Sequence, residues 1–411
     1  MQWTKSQKNV VLAAYLGWTL DAFDFFLMVF MFKDIATTFH VDVKQVAVAV
    51  LLTLAARPVG AFIFGRLADR FGRKPTLMWN ILAFSILEAA SGFAPSLWTF
   101  LALRMLFGIA MGGEWGIGSA LTFETIPLRA RGVVSGLLQA GYPSGYFVAA
   151  IASFFFYDAL GWRYMFLLGI VPAVLVFFIR MGIDESPAFI EGRIKNQDRG
   201  LIKVIVREWK LAVYAIVLMT AFNFFSHGSQ DAYPNLFLHV QHGFDTHAAS
   251  TLAAIMNIGA ILGGIGFGFM SERIGRRRAI IFAALLALPV IPFWTGAVGT
   301  TPLVLGIGAF LMQVSVQGAW GIIPVHLNEL SPPEIRATFP GVVYQLGNLI
   351  ASVNLSLQVM IAEAHGNNYG LAMGSVVGTV VVVIVLMVLW GPEHRGIAMA
   401  DAQREPAPAS A

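Results

Sequence analysis

The densest group of reactive side chains lies in the run Asn223-Phe-Phe-Ser226-His227-Gly-Ser229-Gln230-Asp231-Ala-Tyr233-Pro234-Asn235. At 100° per residue, Asn223, Ser226, His227, Gln230 and Asp231 fall on one helical stripe about 140° wide. A histidine and an aspartate one turn apart can share a proton, because both change charge when their hydration changes. Such a stripe either glues helices together or faces a water-filled cavity; it does not face lipid. Other ionisable residues stand in equally apolar surroundings: Asp21, Asp24, Arg57, Glu88, Arg104 and Glu114. Near the middle of a bilayer each costs about 2.5–3.5 kcal/mol, so each asks for a reason. The guanidinium of Arg57 can bind a carboxylate through two parallel hydrogen bonds. Its other reading is a structural pair with Asp21, Asp24 or Glu114. Asp21 and Asp24 share a face and would repel an anion, which suits a polar network better than substrate contact. Glu88 shows no evident partner, and Tyr142 and Phe225 are suited to walling a small cavity.

These charges are scarce in the chain as a whole. Of 411 residues, 57% are hydrophobic and 12% charged, with mean hydropathy +0.72. A soluble domain needs roughly 25% charged residues, so most of this surface faces something other than water. Apolar runs lie near 10–32, 45–66, 76–94, 98–122, 133–157, 162–181, 211–238, 248–270, 278–296, 302–327, 338–362 and 370–391. Each is long enough to cross ~30 Å of hydrocarbon as a helix. The expected fold class is an all-α membrane protein; the alternating segments of a β-barrel are not seen. Lys5 and Lys8 precede a run too long for a signal-peptide core, and no small-residue cleavage site follows. The absence of cysteine excludes disulfides and thiol chemistry. The net charge of +4 is explained by topology. Lys5, Lys8, Arg66–Lys74, Arg129, Arg131, Arg180–Lys210, Arg273–Arg278, Arg336, Arg395 and Arg404 fall on one side, and only Lys33, Lys44 and Arg163 on the other. The positive-inside rule then makes both termini and the middle loop cytoplasmic, and a nucleic-acid surface is not needed.

The polar stretch 184–210 separates six segments from six. The expected organisation is a helical bundle over 1–183, a middle loop over 184–210, a second bundle over 211–391 and a tail over 392–411. Gly65-Arg-Leu-Ala-Asp69-Arg70-Phe-Gly72-Arg73-Lys74 after the second segment returns as Gly268-Phe-Met-Ser-Glu272-Arg273-Ile-Gly275-Arg276-Arg277 after the eighth. Glu124 and Arg131 return as Glu329 and Arg336. Such a repeat marks a transporter whose substrate site lies between its halves. With these motifs the chain resembles the major facilitator superfamily. The resemblance implies twelve transmembrane helices in two pseudo-symmetric six-helix bundles. It also implies a conformational latch made of Asp69, Arg73, Glu124 and Arg131 with the copies Glu272, Arg276, Glu329 and Arg336. The plainer reading is that these charges only set topology.

A narrower resemblance rests on the seventh segment. The pattern N-x-x-(S/T)-H-x-(S/T)-Q-D-x-x-x-T is similar to the signature of fungal lactate/pyruvate–proton permeases, in the sialate and lactate branch of the superfamily. Every specified position matches through Asp231, and Asn235 replaces the final threonine. Gly17-Trp18-Thr-Leu-Asp21-Ala-Phe-Asp24 and Gly112-Gly113-Glu114-Trp115-Gly116 resemble the same branch. Gly108, Gly112 and Gly116 form a small-residue seam for close helix packing. Gly141-Tyr142-Pro143 departs from the Gly-Pro pair of drug exporters. Arg104 resembles the superfamily arginine of the fourth helix, whose proposed role is proton coupling; its other reading is a pair with Glu114.

The function implied is proton-coupled import of a short monocarboxylate. Arg57, Asn223, His227, Gln230 and Tyr142 would meet the substrate. Asp231, His227, Glu114, Arg104, Asp24 and Asp21 would handle the proton. The expected partners are a small carboxylate, a proton and the lipid bilayer, with no nucleic acid, cofactor or metal. The chain would act as a monomer in the inner (plasma) membrane. A sialic acid permease would tend to carry extra membrane segments, for which 184–210 has no room. A carboxylate sensor would favour a long signalling tail. No phosphate loop, metal cluster or nucleophile elbow supports ATP drive or catalysis.

Overall fold

The computed structural model describes residues 3–194 and 201–400. Residues 195–200 of the expected middle loop and 401–411 of the expected tail, including Arg404, lie outside the described residues. Regular structure among the described residues is helical throughout. The first half contains α1 (Lys5–Phe30), α2 (Val43–Phe71), α3 (Arg73–Gly92), α4 (Leu97–Thr125), α5 (131–160) and α6 (162–181). The second contains α7 (Trp209–Gln241), α8 (Thr246–Ile274), α9 (Arg276–Trp294), α10 (Pro302–Leu330), α11 (Phe339–Ala364) and α12 (Tyr369–Trp390). Ten helical stretches are long and apolar enough to cross a membrane, and one of these, Leu128–Met181, is two crossings joined at Gly161. The remaining crossing is α3, whose Arg73, Lys74 and Glu88 dilute its apolar character. The chain is thus a multi-pass all-α membrane protein with the twelve-helix plan read from its sequence.

Local chemistry sets the helix ends. Thr4 and Asp42 cap α1 and α2 in reciprocal boxes with Gln7 and Gln45, and Asp245 accepts from the Ala248 N–H at 2.7 Å to start α8. The repeated motif glycines have a backbone role. Gly72 (φ +115°) and Gly275 (φ +97°) turn α2 into α3 and α8 into α9 through a region that side chains rarely enter. Aromatic and aliphatic groups such as Trp79, Trp98, Phe154, Phe282 and Trp390 cover the outer surface, as a lipid-facing belt requires.

Several helices are broken within their length. α4 breaks at Gly113, α10 at Gly321–Ile322 and α11 at Ser352–Val353. α7 leaves its regular path after Gln230 and continues as π-type turns over Tyr233–Gln241, where Leu236 and Phe237 both donate to the Ala232 carbonyl at 3.0 Å. Pro234 has no N–H, so the Gln230 carbonyl loses its usual helical donor. Irregular backbone at membrane depth persists only where protein or a cavity covers it. The breaks therefore mark the polar interior.

The two halves meet closely at one end, which carries the repeated motifs. There the first turns of α5 (Arg131–Gln139) pack on α8, with Gly132 against Gly268 and Gly136 against Gly264. Nearby, α2 packs on α11, and Gly116 of α4 lies against Gly341. Beyond Ala140 the remainder of α5 barely touches α8. The hydrogen bonds between the halves also lie at the motif end. The molecule is closed there and parted towards the other end.

Candidate functional site

The parted region narrows to a small cleft with room for about one water molecule. Tyr142 and Pro143 of α5 form one wall; Gln230 of α7, Met256, Asn257 and Ala260 of α8, and Gln313 and Gln317 of α10 form the other. Gln230 and Gln317 both donate to Ser226 Oγ, at 3.1 and 3.4 Å. Gln313 accepts from Gln230 at 3.2 Å and donates to Ser229 Oγ at 3.0 Å. Beneath this layer Trp18, Trp115, Tyr142, Tyr344 and Trp320 join the halves through ring contacts between 4.7 and 6.4 Å.

His227 and Asp231 stand beside the cleft with side chains 31% and 37% exposed, unlike the buried charges elsewhere in the protein. His227 Nδ1 lies 3.1 Å from Asp231 Oδ2, and Nε2 lies 2.9 Å from the Asn348 side-chain oxygen of α11. Asn348 carries both an acceptor and a donor, so the second ring nitrogen is satisfied whichever charge the imidazole carries, while Nδ1 stays against the Asp231 carboxylate.

The first half buries further charges away from the cleft. Arg57 bonds Asp21 at 2.6 Å, Arg104 bonds Glu88 at 2.5 Å, and Arg180 grips both oxygens of Glu114. Of its two alternatives, Arg57 thus takes the structural pair with Asp21 in this conformation. Two further expectations need correction. Arg104 does not pair with Glu114, because Glu88 of α3 lies against it. Glu88 therefore does have a partner. Arg180, counted with the basic run 180–210, ends α6 and is buried there, where Glu114 neutralises it. Gly17 of α1 makes room for that pair, since a methyl there would strike both side chains. Asp24 is fully buried, and neither of its oxygens has a hydrogen-bond donor. Asp21, Asp24, Glu88 and Glu114 face only Arg57, Arg104 and Arg180 inside this bundle, so one carboxyl lacks a counter-charge. Asn223 is buried and donates to the Met219 carbonyl of its own helix at 2.8 Å, so it does not line the cleft.

At the motif end the repeated residues form two matching sets. Arg73 binds Glu124 through two bonds of 3.0 Å, and Arg276 binds Glu329 through two of 3.1 Å. Both are within-half pairs. The links across the halves come from the motif acids and a longer set of arginines. Asp69 accepts from the Ala337 N–H, the Thr338 N–H and the Thr338 hydroxyl at 3.0, 3.1 and 2.6 Å. Glu272 accepts from the Gly132 N–H. Each acid therefore sits on the positive start of a helix in the opposite half. Arg131 lies 3.7 Å from Glu329, and Arg336 lies 3.9 Å from Glu124. Asn328 donates to Ser119 Oγ at 3.0 Å, and Val325 N–H to Ser135 Oγ at 3.1 Å. Glu185 caps the start of α3 by accepting from the Arg73 and Lys74 N–H groups, and Glu393 does the same for α9 at Arg276. Burial pushes the Glu185 carboxyl above its ordinary range, partly offset by those N–H donors and by Arg73.

The Major Facilitator Superfamily model matches residues 14–353 and, in a second register, 217–411. The chain belongs to the major facilitator superfamily. It is 28% identical to a carboxylic acid transporter protein homolog of Saccharomyces cerevisiae over 87% of its own length, but spans only 62% of that protein. It is 28% identical to the sialic acid transporter NanX of Escherichia coli, covering 94% of each chain. Among solved structures, the proton:xylose symporter XylE with a bound bromo-deoxyglucose superposes with TM-score 0.78 at 19% identity, over 95% of this chain and 97% of that one. The partially occluded inward open form of the E. coli xylose transporter XylE fits less well, with TM-score 0.67 at 18% identity, over 96% of this chain and 100% of that one. As a superfamily member the chain is a transporter and not an enzyme.

The sequence singled out the α7 stripe, the latch residues and Tyr142. It did not single out Asn257, Gln313, Gln317, Asn348, Glu185 and Glu393. Gln313 and Gln317 carried a usable signal: two amides one turn apart in an apolar helix.

Proposed function

We propose that the chain is a proton-coupled symporter importing a short monocarboxylate, of the lactate/pyruvate class, by alternating access. The motif end is cytoplasmic and the cleft opens outward, in an inner (plasma) membrane. The halves 1–183 and 211–391 rock about the cleft, as repeat-built carriers do. Relatives named for carboxylic acid and sialic acid transport support an organic-acid substrate. The carrying observation is His227 held between Asp231 and Asn348 beside the cleft. This is a histidine–carboxylate pair able to pass a proton, next to the amides that would hold the solute. Asp24 supplies a second carboxyl able to keep a proton, close to Glu88 and Arg104. Arg57 reaches a substrate carboxylate only by exchanging it for Asp21.

The test uses proteoliposomes with an imposed pH step and the potential clamped by potassium and valinomycin. Lactate accumulation should follow the pH step. Asp231→Asn should abolish accumulation while leaving lactate exchange down its own gradient. Accumulation that survives in Asp231→Asn removes the pair from the mechanism. A second reading, sialic acid with a proton, draws on the likeness to NanX across 94% of each chain. Competition of labelled lactate by sialic acid separates the two.

A further inference from the structure

The turns that lead into α7 carry an exposed face that solute transport does not explain. The short helix Leu201–Arg207 runs into α7 across a mild distortion at Glu208 (φ −104°, ψ 18°), so helical spacing carries through to Lys210. At 100° per residue, three faces separate. Ile205, Val206 and Trp209 fall within an arc of about 100°, and Lys203, Arg207 and Lys210 within an adjoining arc of about 60°. Val204 points the third way and is fully buried, and the helix packs on the loop Pro333–Ile335.

The apolar arc is open to its surroundings. Val206 is 66% and Trp209 55% exposed, and Ile205 is exposed beside them. Further along, exposed Val213 and Val217 continue the same stripe over the outer surface of α7. A stripe that passes unbroken from the lipid-facing part of a membrane helix into its lead-in stays against the same apolar medium. Trp209 stands where the chain enters the hydrocarbon, the depth that indole rings favour. The cationic arc beside it is only partly used. Arg207 is engaged by Glu208 at 2.6 Å and by Glu334 at 3.3 Å, which occupies both carboxylates. Lys203 and Lys210 have no acidic partner among the described residues, and Lys210 Nζ lies 5.9 Å from the centre of the Trp209 ring.

An apolar face bordered by unpaired lysines is the pattern of a helix that lies in the headgroup layer. We infer that residues 203–210 lie in the membrane leaflet at the motif end, and that Lys203 and Lys210 bind the phosphate of an anionic phospholipid. Lysine stems run along apolar surface and deliver the ammonium to a charged headgroup. A zwitterionic headgroup brings its own cation and gains little from two more. An anionic headgroup has none, and each lysine near it adds to its hold. The site takes a lipid and not the solute, so it stands apart from the organic-acid reading.

The experiment is tryptophan quenching in nanodiscs that hold the purified full-length protein. Subtracting the fluorescence of Trp209→Phe from that of the parent isolates Trp209 among the ten tryptophans. Phospholipids brominated at the headgroup end of the acyl chain quench by contact. Brominated phosphatidylcholine should quench Trp209. The same fraction of brominated phosphatidylglycerol, in a phosphatidylcholine bilayer, should associate at least about threefold more strongly. Raising the salt concentration should weaken that preference. Combining Lys203→Gln with Lys210→Gln should abolish it and leave quenching by phosphatidylcholine as in the parent. Both lysines are exposed, so the fold does not depend on them. No quenching of Trp209 in any bilayer places the segment in water and overturns the inference entirely. Equal quenching by the two lipids overturns the headgroup site. A preference for phosphatidylglycerol that survives in the double variant overturns its assignment to these lysines.

Discussion

At the residue scale, Arg57, Arg104 and Arg180 are each matched to one carboxylate, and Asp24 is left over. Removing one partner of a buried pair leaves an uncompensated charge and costs about 3–5 kcal/mol. Arg104→Leu should therefore lower the unfolding midpoint sharply, since Glu88 loses its only hydrogen-bond donor among the described residues. Asp24→Asn removes a carboxyl that has no donor, and should leave the midpoint equal or higher. Thermal unfolding of both variants in the same detergent checks the contrast; equal losses would mean that Asp24 is paired after all. The comparison also shows what a sequence can reveal at this scale. His227 and Asp231 were legible because their relation is local, four residues on one helix. Arg104 with Glu88, or Arg180 with Glu114, depends on how α3, α4 and α6 come together. Arg180 reads in the sequence as a topology signal, a cation at the end of an apolar run, and its pairing is invisible there. Only the fold shows that Glu114 and the notch at Gly17 await it.

At the element scale, the twelve apolar runs and the repeat were enough to place the helices. The helix breaks were harder to see. The tertiary contacts decide whether a helix bends at Gly113 in α4 or Gly321 in α10 or passes straight through, and the break at Ser352–Val353 in α11 gave no comparable signal. The caps of α3 and α9 were missed for a related reason. Glu185 and Glu393 lie far along the chain from the helices whose first N–H groups they accept. Losing a side-chain cap typically costs about 1 kcal/mol. Glu393→Ala should thus lower stability modestly, and Gly275→Ala should do so by a comparable amount because of its φ of +97°. Denaturation of the two single variants and the double measures whether cap and turn act together. A double-variant loss well below the sum would show that both maintain the same α8–α9 junction.

At the scale of the molecule, the motif end is a closure whose bonds must break for the cleft to open on that side. Asp69 makes three of them to the first residues of α11, and Glu272 makes the matching contact at the start of α5. The within-half pairs, Arg73 with Glu124 and Arg276 with Glu329, can persist in either state, because each moves with its own bundle. Closure therefore depends on the motif acids more than on the pairs themselves. Asp69→Asn keeps the shape but removes the charge that the helix start attracts and turns one acceptor oxygen into a donor group, which opposes either the Ala337 or the Thr338 N–H. A loss of about 1–3 kcal/mol in the closed state would move the equilibrium between states by about 5–150-fold. The chain contains no cysteine, so spin labels introduced at exposed Arg70→Cys and Arg278→Cys report the separation of the halves at this end without background. The short-distance population should dominate in the parent protein and fall in Asp69→Asn. Affinity for lactate from the outward side should fall in proportion to the closed fraction, because only that state presents the cleft outward. Discrimination among carboxylates should remain as in the parent, since the lining of the cleft is not altered. A changed discrimination with an unchanged distance distribution would place Asp69 in the site and not in the closure.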